Sequence, residues 1–74
     1  MPLVDIQLIE GAFDKTQKQE MIRKVTDAMV SVEGERMRGL TTVIVEDVRS
    51  GDWGIAGNGL TTQDVRALAA GKAG

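Results

Sequence analysis

The sequence predicts an α/β (α+β) fold built from one βαβ unit and a C-terminal hairpin, and three stretches carry that prediction. Residues 3–9 alternate, with Val4, Ile6 and Leu8 on one face and Asp5 and Gln7 on the other, as in a strand with one buried face. Met21, Ile22, Val25, Ala28, Met29 and Val32 then recur at helical spacing. The β-branched run Thr41-Thr42-Val43-Ile44-Val45 marks a second strand over residues 40–47. Strand, helix and strand in that order predict parallel strands joined by a right-handed crossover.

The intervening residues punctuate these elements. Glu10-Gly11 turns the chain out of the first strand, and Asp14 is placed to cap the helix, with Gln17 three residues later as its capping-box partner. Lys15, Lys18, Glu20, Arg23, Lys24 and Asp27 fall mostly opposite the apolar stripe and read as a solvated face. Gly34 stops the helix, and residues 35–39 read as a loop. After the second strand, Ser50-Gly51-Asp52-Trp53-Gly54-Ile55-Ala56-Gly57-Asn58-Gly59 has the glycine spacing of a tight hairpin-like excursion. Thr61 or Thr62 caps a short last helix over residues 63–70, ahead of a loose Gly71-Lys72-Ala73-Gly74 tail. No repeat or linker interrupts the chain, so residues 1–74 form a single domain, 2–74 once Met1 is removed, with 61–74 as a C-terminal extension.

A 74-residue chain buries only about 60% of the surface that it exposes unfolded. Without cysteine it has no disulfide to compensate, and without histidine the usual zinc ligand sets are missing. Two parallel strands and one helix leave sheet edges and a face uncovered, which a second copy adding its own two strands would complete as a four-stranded sheet. The expectation is a homo-oligomer, a dimer at least. The missing residue types also exclude a Ser-His-Asp triad, a Cys-His pair and thiol redox chemistry. A net charge of -2 gives no basic field for nucleic acid, and Phe13 and Trp53 are too few for a base-stacking surface. No apolar run approaches the roughly 18 residues of a membrane helix, and no basic leader precedes an apolar stretch. A cytoplasmic protein with no membrane partner is expected, and no metal or organic cofactor is implied.

Pro2 has two readings. It is either an inert leader to the first strand or, after excision of the initiator methionine, a free secondary amine on a rigid ring. An α-amino group titrates near ~7.7–8.0 in water, and an apolar pocket lowers that value by disfavouring the charged form. Such an amine is a general base near neutral pH, a role that few other groups fill in a chain without histidine.

The run Pro2-Leu3-Val4-Asp5-Ile6-Gln7-Leu8-Ile9-Glu10-Gly11 resembles the opening of the 4-oxalocrotonate tautomerase family, in which a catalytic amino-terminal proline starts a strand ending in Glu-Gly. Asp14, Gln17, Lys18, Ile22 and Arg23 match the pattern that follows, and Gly51-Asp52-Trp53-Gly54-Ile55-Ala56-Gly57 resembles the family's Gly-x-aromatic-Gly-Ile-Gly-Gly hairpin. The resemblance covers roughly residues 2–60. It implies a tautomerase fold, assembly as a homohexamer (a trimer of dimers), and an isomerase acting on a small enol, dienol or keto acid. Pro2 would be the catalytic base and then the acid, and Trp53 the pocket aromatic that keeps the amine's surroundings apolar. The family archetype grips a dicarboxylate with arginines at positions aligned with Ala12 and Thr42, so this chain departs from it there. Arg38 is the first candidate for a replacement substrate-binding cation, ahead of Arg36, Arg49 and Lys15. The competing readings are a related Pro-dependent dehalogenase, hydratase or decarboxylase, and a non-catalytic or hetero-oligomer subunit of the same fold. The turn glycines Gly54, Gly57 and Gly59 do not have the spacing of a phosphate loop.

Overall fold

The computed structural model describes residues 2–71. The expected removal of Met1, and the expected tail from Lys72 onward, lie outside them. The elements run β1 (Leu3–Ile9), α1 (Lys15–Glu33), a short 3-10 helix (Glu35–Leu40), β2 (Thr42–Val48), β3 (Trp53–Ile55), β4 (Asn58–Leu60) and α2 (Thr62–Ala69). β1 and β2 form one two-stranded sheet, and β3 and β4 a second. Thr42 N donates to Pro2 O (3.1 Å) where β1 and β2 begin, and Glu10 N donates to Val48 O (2.7 Å) where they end. The two strands therefore run parallel, as the βαβ order requires. The backbone divides into two compact units, Met1–Ile6 with Asp14–Glu46, and Gln7–Phe13 with Asp47–Gly74.

The first unit is organised by α1. The Asp14 carboxylate accepts Gln17 N (2.8 Å), and Gln17 Oε1 accepts Asp14 N in return (2.9 Å), so the expected capping box is formed. At the other end Gly34 adopts φ 104°, and its N–H donates to Val30 O (2.8 Å). An L side chain would be strained at that φ, which is why glycine ends the helix. Met21, Ile22, Val25 and Met29 are half-buried as the periodicity predicts. The stripe is corrected at its other members: Val30 is the buried residue, while Ala28 is exposed and Val32 is 88% exposed. Positions 30 and 32 fall about 80° to either side of Ile22, so the helical period does not separate them, and Val32 lies one residue from the end of α1.

Residues 35–40 are also corrected, from a loop to a 3-10 helix, closed by the bonds from Met37 N to Gly34 O and from Thr41 N to Arg38 O. The second strand consequently starts at Thr42 rather than at Leu40, and it extends one residue further, to Val48. Leu3, Leu40, Ile44 and Val32 remain exposed in this unit, whose one buried apolar side chain among the described residues is Val30.

The second unit joins the end of β1 to the hairpin and the last helix. β3 and β4 pair antiparallel in the register Trp53 with Leu60, Gly54 with Gly59 and Ile55 with Asn58. The two-residue turn is Ala56-Gly57, with φ 53° and 82°. Positive φ at both positions matches the right-handed twist of the flanking strands. Gly59 has a packing reason to be glycine, because an added Cβ would lie 3.2 Å from Gly51 O. Thr61 is the cap of α2, accepting Asp64 N on its hydroxyl (3.2 Å) while Asp64 Oδ2 accepts Thr61 N (2.9 Å). α2 accordingly begins at Thr62, one residue before the expected start. Ile9 is buried here, and Ile55 and Leu68 stand more than half exposed.

Candidate active site

Pro2 leads directly into β1 in the first unit. The ring removes a donor but leaves the carbonyl, which accepts Thr42 N and so ties position 2 to the start of β2. The residue is half-buried. Thr42, where an arginine was missing from the pattern, is thus a half-buried residue of β2 bonded to Pro2 through its backbone.

Arg38 belongs to the same unit, and each of the three nitrogens of its guanidinium donates to a carboxylate. Nε and Nη2 donate to the two oxygens of Glu35 (2.9 and 3.3 Å), and Nη1 donates to Asp27 Oδ1 (2.8 Å). The helical turn from Gly34 explains the geometry, since Glu35 and Arg38 lie three residues apart on one face of the 3-10 helix. Hydrogen bonding and charge attraction from Arg38 hold the Glu35 carboxyl below its usual range, and the Glu35 and Asp27 carboxylates push Arg38 upward. The clamp fastens the 3-10 helix to α1. A substrate carboxylate at Arg38 would have to compete with two protein carboxylates for its charge.

Asp5 and Glu46 form a second electrostatic feature of this unit. Both are exposed strand residues, and the Asp5 carboxyl raises the Glu46 pKa through a hydrogen bond and through like-charge repulsion.

Trp53 lies in the second unit, half-buried at the start of β3. It lines a cavity of about 350 Å³ together with Gln7, Leu8, Ile9, Phe13, Ile55, Leu60, Val65 and Leu68. Gln7 supplies the one polar side chain of that lining. Ala12, the other position without its arginine, is half-buried in the same unit.

Arg66 was not singled out by the sequence. It lies one helical turn after Thr62, so both side chains leave α2 on the same face. The Thr62 hydroxyl donates to Glu10 O, and Arg66 donates to Gly11 O through Nε (3.0 Å) and Nη2. Ser50 completes the arrangement, its N–H donating to Glu10 Oε1 (3.0 Å) and its hydroxyl accepting Thr62 N (2.9 Å). Gly11 at φ 76° leaves room for this contact, because an added Cβ would lie 3.2 Å from Thr62 Cγ2 and 3.8 Å from Arg66 Nη2. The helical spacing of Thr62 and Arg66 is visible in the sequence. Their partners, 52 and 55 residues away along the chain, are not.

No three Asp or Glu side chains converge as a metal site among the described residues, and no described helix is long and apolar enough to cross a membrane. Residues 2–63 match the family model described as tautomerase enzyme. The chain is 31% identical over 67 residues to a probable tautomerase of Dickeya dadantii, covering 90% of this chain and 98% of that protein. A probable tautomerase of Staphylococcus aureus is 32% identical over 57 residues, covering 77% of this chain and 90% of its own. Among solved structures, one from the characterisation of the 4-oxalocrotonate tautomerase isozymes of Methylibium petroleiphilum superposes with a TM-score of 0.69 at 34% identity, over 86% of this chain and 97% of that one. The DmpI structure from Helicobacter pylori gives a TM-score of 0.69 at 31% identity, over 80% and 95% of the two chains.

Proposed function

The chain belongs to the tautomerase family, and from that premise we propose that it is a cytoplasmic isomerase whose base is the amine of Pro2, freed by removal of Met1. The observation that carries the reading is the family match, which opens at Pro2 and runs through the hairpin that bears Trp53. The amine removes a proton from an enol oxygen or an α-carbon and returns it at another carbon, so that a double bond migrates. The substrate is a small enol, dienol or keto acid.

An amine does this work near neutral pH only while it is uncharged, and apolar surroundings favour that form by withholding the solvation an ammonium needs. We assign Trp53 to the apolar lining of the substrate pocket. Arg38 is a substrate-binding cation only where its Asp27 and Glu35 contacts open, since all three of its donating nitrogens are otherwise committed. We also infer a homo-oligomer, expected as a hexamer. Leu3, Val32, Leu40, Ile44, Ile55 and Leu68 are exposed, while only Ile9 and Val30 are buried apolar side chains among the described residues. A chain with so little interior of its own gains stability by covering those side chains with further copies.

The test combines an intact mass of the purified protein with tautomerisation assays on phenylpyruvate and a 2-hydroxydienoate. Loss of the methionine mass, with turnover that falls at least about a hundred-fold in Pro2→Ala, is the expected outcome. Retained Met1, or turnover unchanged in Pro2→Ala, would overturn the catalytic reading and leave a non-catalytic subunit of the same fold.

A further inference from the structure

We propose that α2 sets the size limit of the substrate: Val65 and Leu68 form a fixed wall of the Trp53 cavity and restrict the apolar part of an incoming molecule to a single ring. The proposal rests on the assignment of Trp53 to the substrate pocket and adds a determinant from outside the family match. That match ends at residue 63, whereas Val65, Arg66 and Leu68 follow it.

Two faces of α2 divide the work. Val65 and Leu68 are three residues apart, so their side chains leave the helix on one face. Both line the cavity, together with Leu8, Phe13, Trp53 and Leu60. Thr62 and Arg66 occupy the neighbouring face, Arg66 following Val65 by a helical step of about 100°. That face is fastened to the turn after β1. The Thr62 hydroxyl donates to Glu10 O, Arg66 donates to Gly11 O through Nε and Nη2, and Ser50 bonds to both Glu10 and Thr62. Glu10 directly follows Ile9, and Gly11 precedes Phe13 by two residues, so α2 is tied to the segment that supplies other lining residues. Arg66 is thus a positioning residue, and α2 is a built wall of the cavity.

The volume gives the limit. An apolar cavity of about 150 Å³ holds one benzene molecule, or about 25 Å³ per non-hydrogen atom. The cavity of about 350 Å³ then admits about 14 such atoms. A single ring on a three-carbon acid chain fits within that number, and a second ring exceeds it. Leu68→Ala deletes three carbon atoms and Val65→Ala two, which together make room for most of a second ring.

Trp53 is the only tryptophan in the chain, so ligand entry can be followed by its fluorescence. The probes are 3-phenylpropanoate and 3-(biphenyl-4-yl)propanoate, titrated into wild type, Leu68→Ala and the double variant Val65→Ala/Leu68→Ala. Wild type should bind the one-ring acid more tightly. The double variant should shift the ratio of the two Kd values at least about ten-fold toward the two-ring acid, since one methylene of misfit in an apolar pocket is worth about that much. Leu68→Ala should lie between. Arg66→Ala, which frees the wall without altering the lining, should also lose the preference, and Arg66→Lys, which keeps a donor for Gly11 O, should retain it. A ratio unchanged in the double variant, a preference undiminished in Arg66→Ala, or no saturable binding of either acid by wild type would overturn the proposal. Should the double variant fail to fold, Leu68→Ala decides the matter, because Leu68 is 56% exposed and its truncation disturbs little of the interior. The readout is binding, so a Pro2→Ala result that defeats the catalytic reading leaves the size limit separately decidable.

Discussion

The hairpin turn provides a stability prediction whose magnitude comes from one backbone angle. Ala56 is the described non-glycine residue with positive φ, at 53°, and it occupies the first of the two positions joining β3 to β4. An L residue in the left-handed region costs about 1–2 kcal/mol, because its Cβ crowds the following carbonyl oxygen. Glycine escapes that cost but loses roughly 0.5–1 kcal/mol through the greater freedom of its unfolded chain. Ala56→Gly should therefore stabilise the protein by about 0.5–1 kcal/mol. For a domain of this size that is a Tm increase of roughly 2–8 °C. The reverse substitution at the neighbour makes the control. Gly57 is at φ 82°, and a Cβ added there would meet nothing within 4 Å, so Gly57→Ala suffers the backbone cost without a steric one. It should lower Tm by a similar amount. Thermal unfolding followed by circular dichroism, with protomer concentration held constant because assembly contributes to apparent stability, measures both. A Tm that falls in Ala56→Gly, or rises in Gly57→Ala, would refute the assignment of strain to the turn.

Two further outcomes are expected. Asp14→Ala removes half of the capping box that starts α1 and should cost about 1 kcal/mol in urea unfolding, with Asp14→Ser restoring most of it. Glu46→Gln relieves the carboxyl repulsion with Asp5, and the sign follows from the raised pKa. A carboxyl that holds its proton more tightly when folded adds stability at low pH, and that contribution is lost as pH rises through the folded pKa. Glu46→Gln should therefore raise Tm at pH 7 and leave it nearly unchanged at pH 4, a difference that thermal melts at the two pH values resolve.

The parts of this molecule legible in its sequence are those fixed by neighbours in the chain. The Asp14–Gln17 box spans three residues, and both side chains sit where the pattern put them. Alternation in β1 and the glycine-spaced hairpin were readable for the same reason, since each depends on local backbone geometry and a short-period pattern. The 3-10 helix was not, because six residues at a period of three leave too little signal to separate a helix from a loop. Val32 was misplaced because apolar character alone does not say which face a residue takes near a helix end. At the candidate site, Pro2 and Trp53 were visible through the family pattern, whereas the engagement of Arg38 with Asp27 required an eleven-residue contact to be known. Arg66 lay beyond sequence reasoning altogether, its partner being fifty-five residues away.

That separation bears on the order in which the chain organises itself. The contacts from Ser50, Thr62 and Arg66 to the Glu10-Gly11 turn close loops of 40, 52 and 55 residues. Closing a 55-residue loop costs roughly 2.5 kcal/mol more chain entropy than closing one of three residues, by logarithmic scaling. The caps of α1 and α2 form early on that scale, while the fastening of α2 to the turn can offset its entropy only after the ends have been brought together by other means. The guanidinium of Arg66 is thus oriented only once Gly11 has been brought to it, so that a chain lacking that contact carries the charge of Arg66 but not its aim.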